Sequence, residues 1–139
     1  MATNDPSMKK MLAGSCYCGA ATYTVPDEFL YSAYCHCSNC RRTTGSAFKP
    51  FAGIERAKLV PTCSSDALHI VGDVDGNDTH CAACGSLLYS VVREGEYVHV
   101  AMGTLVDAPS IRPAHHIFVG SKAPWHQIAD DLPQYAEHA

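Results

Sequence analysis

The chain of 139 residues has no long apolar run. Its longest apolar stretches, Leu87-Leu88-Tyr89 and Val98 to Met102, are the length of strands. A membrane-spanning helix needs about 20 apolar residues, so none is expected. The opening Met-Ala-Thr-Asn-Asp-Pro-Ser lacks the apolar core of a signal peptide. The expectation is therefore a cytoplasmic protein with no membrane partner. Basic charge is also scarce: 10 Lys and Arg stand against 14 Asp and Glu, for a net charge of −4. That balance argues against a nucleic-acid partner, which calls for a basic patch. Past the N-terminal leader, the only adjacent basic pair is Arg41-Arg42. Helical periodicity is sparse, and there is no linker, internal repeat or low-complexity tract.

What remains is rich in turns and short strands. Residues 1–10 read as a flexible leader, and residues 11–139 are long enough to form a single domain with its own core. Strands are expected over Ala21 to Val25 and Leu30 to Cys35, joined as a hairpin by Pro26-Asp27-Glu28. Further strands are expected over Phe48 to Ile54, Lys58 to Pro61, Ala67 to Val71, Leu87 to Val92, Tyr97 to Met102 and His116 to Val119. The acidic run from Asp73 to Asp78 reads as a turn or loop. Helix is confined to one turn around Ser38 to Thr43 and a short piece near Pro133 to Glu137. The fold class that follows is mainly β, with antiparallel sheets and little helix.

Cysteine is the exception to this plainness. Seven of the eight cysteines fall into three groups: Cys16-x-Cys18, Cys35-x-Cys37-x-x-Cys40 and Cys81-x-x-Cys84. In a reducing compartment such clusters read as metal ligands or reactive thiols, not as a disulfide framework. A closed structural zinc site takes four ligands. Cys16 and Cys18, two apart on an extended segment, can turn both sulfurs to one ion. Cys81 and Cys84, followed by Gly85, form a knuckle whose backbone N–H groups face the thiolates. Pairing these two groups gives a four-thiolate site that closes a long loop, although spacing alone does not choose partners. Cys35, Cys37 and Cys40 are then left as three ligands with a coordination position open, the arrangement used for chemistry.

A fourth ligand for the trio is open to His36, His80, His115 or His116, of which His36 is disfavoured because it alternates away from its cysteine neighbours. Cys63 stands outside the groups and reads as a small buried hydrophobe, with a reactive thiol as the alternative. Trp125, the only tryptophan, reads either as core packing or as one wall of a ligand site. Arg41-Arg42, directly after Cys40, either offsets thiolate charge, holds an anionic ligand or is simply solvated.

Three stretches together resemble the glutathione-dependent formaldehyde-activating enzyme family. They are Gly14-Ser15-Cys16-Tyr17-Cys18-Gly19, the run from Cys35 to Phe48, and Cys81-Ala82-Ala83-Cys84-Gly85-Ser86. Gly103-Thr104-Leu105, Pro113 and the run His116 to Trp125, containing Ser121-Lys122-Ala123-Pro124-Trp125, resemble its C-terminal signature. The resemblance covers about residues 12–133. It implies small antiparallel sheets of the β-tent type, shared with a zinc-binding Rab chaperone. It implies a structural zinc on Cys16, Cys18, Cys81 and Cys84, and a second, glutathione-associated zinc on Cys35, Cys37 and Cys40. One departure is Asp78-Thr79-His80, where members carry an aromatic and a nearby basic residue.

The expected function is that of a zinc-dependent carbon–sulfur lyase-type enzyme. It would join glutathione, or another thiol, to formaldehyde or a related aldehyde as an S-hydroxymethyl adduct. Cys35, Cys37 and Cys40 would be the catalytic set, with the trio's zinc the more labile of the two. Arg41, Arg42, Lys122 and Trp125 would contact the thiol ligand. The alternatives are a non-catalytic zinc module that binds glutathione, another thiol or a protein partner, and an oxidation-sensing trio.

Overall fold

The computed structural model describes residues 10–139, so nearly all of the expected leader lies outside the described residues. The chain is mainly β. Its ten strands are β1 (Met11–Ser15), β2 (Thr22–Pro26), β3 (Tyr31–Cys35), β4 (Lys49–Glu55), β5 (Val60–Pro61), β6 (Leu68–Asp73), β7 (Gly76–Cys81), β8 (Leu87–Val92), β9 (Tyr97–Ala101) and β10 (His116–Ile117). The one α-helix among the described residues is α1 (Ser38–Thr44). A three-stranded sheet has the order β1-β2-β5, and a seven-stranded sheet runs β10-β3-β4-β9-β8-β7-β6. No helix among the described residues is long and apolar enough to cross a membrane.

Alternation places the core. In β2 the buried Tyr23 and Val25 alternate with half-buried threonines, and in β9 Val98 and Val100 do the same. Leu12, Tyr23, Ile54, Leu88 and Val91 from both sheets share one cluster, and Cys16 and Cys81 belong to it. The four-cysteine group therefore sits at the edge of the main core. Cys63 is half-buried and packs against the same cluster.

Four expectations differ from what is found. β2 and β3 do not form a hairpin, because each pairs within a different sheet. Pro26-Asp27-Glu28 is thus the crossing between sheets. The segment from Asp73 to Asp78 is only partly a turn: Gly76 onward forms β7, held between β6 and β8. β10 lies parallel to β3, while all other strand pairs are antiparallel. Residues 133–137 are not helical: Gln134 forms a β-bridge and Ala136–Glu137 bend. Their backbone exchanges hydrogen bonds with residues 116–120, among them Tyr135 N to His116 O at 2.9 Å and Phe118 N to Glu137 O at 2.8 Å.

Candidate metal centres and the adjoining cavity

Two tight turns build the first centre. Cys16 and Cys18 lie in the bend that follows β1, while Cys81 ends β7 and Cys84 lies in the turn that follows it. Gly19 and Gly85 hold φ of +85° and +84° there, a conformation that a side chain disfavours. The sulfurs of all four cysteines lie within 4.8 Å of one another. Cys18 Sγ is 3.7 Å from both Cys16 Sγ and Cys81 Sγ. A tetrahedral zinc with bonds of about 2.3 Å needs its sulfurs about 3.8 Å apart. The N–H of Ala21 donates to Cys16 Sγ at 3.2 Å, and those of Ala83 and Cys84 donate to Cys81 Sγ at 3.4 and 3.3 Å. Such N–H groups favour thiolates over thiols. The Ser86 hydroxyl, 3.2 Å from Cys84 Sγ, is the main cause lowering the Cys84 thiol to about 5. The group is a four-thiolate set compatible with zinc.

A strand end and a helix start build the second. β3 delivers Cys35. Cys37 is the N-cap of α1, its Sγ accepting the Cys40 N–H at 3.2 Å. The first turn of α1 brings Cys40 back, and the three sulfurs gather within 4.8 Å. The Cys35 thiol is lowered to about 6, chiefly by the hydrogen bond from Cys40. Burial opposes this, while the Cys37 N–H and the charge of Lys49 assist it. Cys40 is raised, first by Cys35 and then by burial. The donor set is again compatible with zinc, with three ligands instead of four.

No histidine joins the trio. His80 Nδ1 lies 3.0 Å from the Gly85 carbonyl. His36 is fully buried and directs Nε2 at His116 Nδ1, 2.8 Å away, and His116 Nε2 meets the Asp130 carboxylate at 3.0 Å. This Asp130–His116–His36 chain ties β10 to the loop carrying the trio. Burial, then His116, pushes His36 down to about 4. His115 reaches the cavity described next but does not complete the trio.

Beside the trio opens a cavity of about 590 Å³ that Cys35 and Cys40 help to line. One sheet face forms its floor. Tyr31, Ala33 and Cys35 alternate along β3, with Gly53, Phe51 and Lys49 opposite them on β4. Gly53 in turn faces His99 of β9. A Cβ at Gly53 would fall 2.2 Å from the Tyr31 ring, so the missing side chain lets that ring lie flat over the sheet. Tyr31 can then place its hydroxyl 2.8 Å from His99 Nε2. His99 also stacks on Phe51, with centroids 4.1 Å apart. Burial, and then the charge of Lys49, lowers His99 to about 3 and keeps it neutral.

Lys49 is only 4% exposed. Its ammonium donates to Ser90 Oγ at 2.8 Å, and Ser90 Oγ donates to Asp78 Oδ1 at 2.6 Å. A buried cation beside a trio of thiols is thus balanced through one hydroxyl by a carboxylate. The acidic residue noted as a departure in the sequence is the end of this chain.

The four residues expected to contact a thiol ligand lie elsewhere. None of Arg41, Arg42, Lys122 and Trp125 lines the cavity. Arg41 Nη1 donates to the Ser121 carbonyl at 3.1 Å. Lys122 Nζ donates to the carbonyls of Ala123 and His126. Arg42 is exposed on the last turn of α1, and Trp125 is 69% exposed, which rules out the core-packing reading. The residues that sequence reasoning missed are Lys49, His99 and Arg93. Arg93, in a left-handed conformation at the β8–β9 turn, holds its guanidinium 5.1 Å from the Tyr31 ring centroid at the cavity wall. Only the strand alternation from Tyr31 to Cys35 pointed to this face, and nothing local marked which partners it would meet.

No curated protein gives a significant match to this chain. Among solved structures, a crystal structure of a Rhodobacter sphaeroides protein is similar, with a TM-score of 0.57 and 24% identity over 70% of this chain and 91% of that one. At that identity the likeness speaks to the fold alone. Residues 11–121 match the glutathione-dependent formaldehyde-activating enzyme family over both cysteine centres and the cavity floor. The chain belongs to that family.

Proposed function

We propose that the protein adds glutathione, or another thiol, to an aldehyde at the Cys35/Cys37/Cys40 centre, giving an S-hydroxyalkyl adduct. The observation that carries this reading is the union of a three-thiolate donor set with a cavity holding a buried cation. Cys35, Cys37 and Cys40 would hold a zinc, and that zinc would supply a lowered pKa to a bound thiol. The second zinc, on Cys16, Cys18, Cys81 and Cys84, is structural in this reading and fastens β1 to the β7–β8 turn.

The reaction is balanced without an oxidant. The thiol's S–H breaks, a sulfur–carbon bond forms at the carbonyl carbon, the carbonyl π bond opens, and the proton ends on the new hydroxyl oxygen. Run backwards, it is a carbon–sulfur lyase reaction. Lys49 is the chain's own group for the developing oxyanion: it lines the cavity beside Cys35 and spends one hydrogen bond on Ser90. A preoriented cation in a dry site is worth far more than in water. The aromatic walls exclude water. Arg42, exposed on the trio's helix, and Trp125, exposed on the 121–126 loop, are assigned to the polar body of the thiol, with Arg41 and Lys122 holding that loop. The eight unpaired cysteines are in keeping with a reducing, cytoplasmic setting.

The test is the rate of formaldehyde loss at fixed glutathione with the zinc-loaded protein and with Cys37→Ser. We expect acceleration by the native protein and the uncatalysed rate with the variant. Equal acceleration by both removes the trio from catalysis. A protein that binds glutathione without any acceleration is the non-catalytic zinc module instead.

A further inference from the structure

Formaldehyde has two heavy atoms, yet the space beside the trio is about 590 Å³. Cavities of that size hold ligands of drug size. The walls are largely aromatic and apolar, with the Arg93 guanidinium set over Tyr31. Phe51 stacks on His99 at 4.1 Å, and Tyr31 stands edge-on to both, at 6.2 and 5.4 Å. Phe118 and Ile117 line the same cavity and pack with Phe51 and Tyr31. A ring entering among them gains edge or offset contacts beyond its burial alone. Glutathione, with two carboxylates and an ammonium, finds few charged partners here: Arg93 beside Tyr31, and Lys49, which gathers with Cys35 and Cys40 at one end.

One wall comes from beyond the residues matched to the family. The family match ends at residue 121. Beyond it, residues 133–137 return along residues 116–120 through paired backbone hydrogen bonds. His138 is thereby set edge-on to Phe118, with centroids 4.8 Å apart, and lines the cavity.

We propose that this cavity is the aldehyde subsite and that its preferred substrate is an aldehyde with an aromatic body, with the carbonyl at the Cys35–Lys49 end. The proposal rests on the thiol-addition reading above and adds the class of the electrophile.

The test separates binding from turnover. The zinc-loaded full chain is titrated with 2-phenylethanol and with methanol, unreactive analogues of phenylacetaldehyde and formaldehyde, while the ring resonances of Tyr31 and Phe51 are followed by NMR. We expect 2-phenylethanol to bind at least about tenfold more tightly than methanol and to shift both rings. Ala33→Leu, which fills the cavity floor, should abolish that preference. If Ala33→Leu fails to fold, His138→Asp, at the exposed wall, should weaken 2-phenylethanol binding instead. In turnover with glutathione, kcat/KM for phenylacetaldehyde should exceed that for formaldehyde. Equal binding of the two alcohols, or displacement of 2-phenylethanol by S-methylglutathione, overturns the proposal. Tight 2-phenylethanol binding without turnover of either aldehyde upholds the subsite and defeats the catalytic reading alone.

Discussion

Cys35 and Lys49 are directly opposite each other across the β3–β4 ladder, and both line the aromatic cavity. The charge of Lys49 helps lower the Cys35 thiol, and its ammonium is anchored through Ser90 to Asp78. Lys49→Met should therefore act twice. Turnover should fall by about 100-fold, the usual scale for losing one oxyanion donor. The pH at which the metal-free trio first reacts with a thiol reagent should rise, because the Cys35 thiolate loses a neighbouring cation. Rate measurements and a pH profile of thiol modification check the two effects separately. A variant with native turnover leaves Lys49 only a packing role.

Asp78→Asn tests the same chain from its other end. The variant keeps the shape but removes the charge that balances Lys49. A buried cation without a balancing charge is costly, on the order of 3 kcal/mol for a broken buried pair, reduced here because Ser90 still accepts. A lower Tm is expected, with a smaller loss when Lys49→Met is added than the single changes would sum to. That non-additivity is the signature of coupling between the groups through Ser90.

Stability should depend on acid through His99. Its folded value, about 3, lies below the ordinary 6.5 because the ring is buried and faces Lys49 and Arg93. The unfolded chain therefore takes up a proton at a pH where the folded chain does not. This contribution is fully present above pH 6.5 and is lost as pH falls toward about 3. Urea midpoints measured between those limits should decline with falling pH, and His99→Gln should flatten the decline.

Gly53→Ala should be destabilising although the residue is small. Its Cβ would meet the Tyr31 ring at 2.2 Å, so the ring must leave its place beside His99. Overpacking of this kind costs about 1–3 kcal/mol. Denaturant unfolding gives the cost. The Tyr31 ring resonances should move, and a variant with native stability and native Tyr31 shifts would contradict the packing described.

The two cysteine centres should also fail differently. Cys84→Ser opens the four-thiolate set that joins the β1 end to the β7–β8 bend, and loss of a structural metal unfolds small domains. A drop in Tm of about 10 °C or more is expected. Cys37→Ser touches one end of β3 and α1 only, so its Tm should fall far less.

The cysteine centres were legible because each half is local: two ligands within four residues carry their own turn. The mainly β class was legible for the same reason, from alternation in segments such as Tyr97 to Ala101. Long-range choices were not. β7 has the composition of a loop, Gly-Asn-Asp-Thr-His-Cys, and becomes a strand only because β6 and β8 enclose it. Pro26-Asp27-Glu28 has turn chemistry, yet nothing local says that the strands on either side join different sheets. Lys49 looks like a solvent-facing residue until the register sets it between Cys35 and Ser90. The chain from His36 through His116 to Asp130 spans 94 positions and depends on β10 lying parallel to β3.

The central claim is that seven cysteines make two unequal zinc centres, one closed and one working. Metal content of the native chain, Cys37→Ser and Cys84→Ser, purified without added zinc and exposed to glutathione or a weak chelator, tests it most directly. The account predicts two zincs per native chain, of which one leaves early, and a single resistant zinc in Cys37→Ser. One zinc per native chain, or two that leave together, would contradict it.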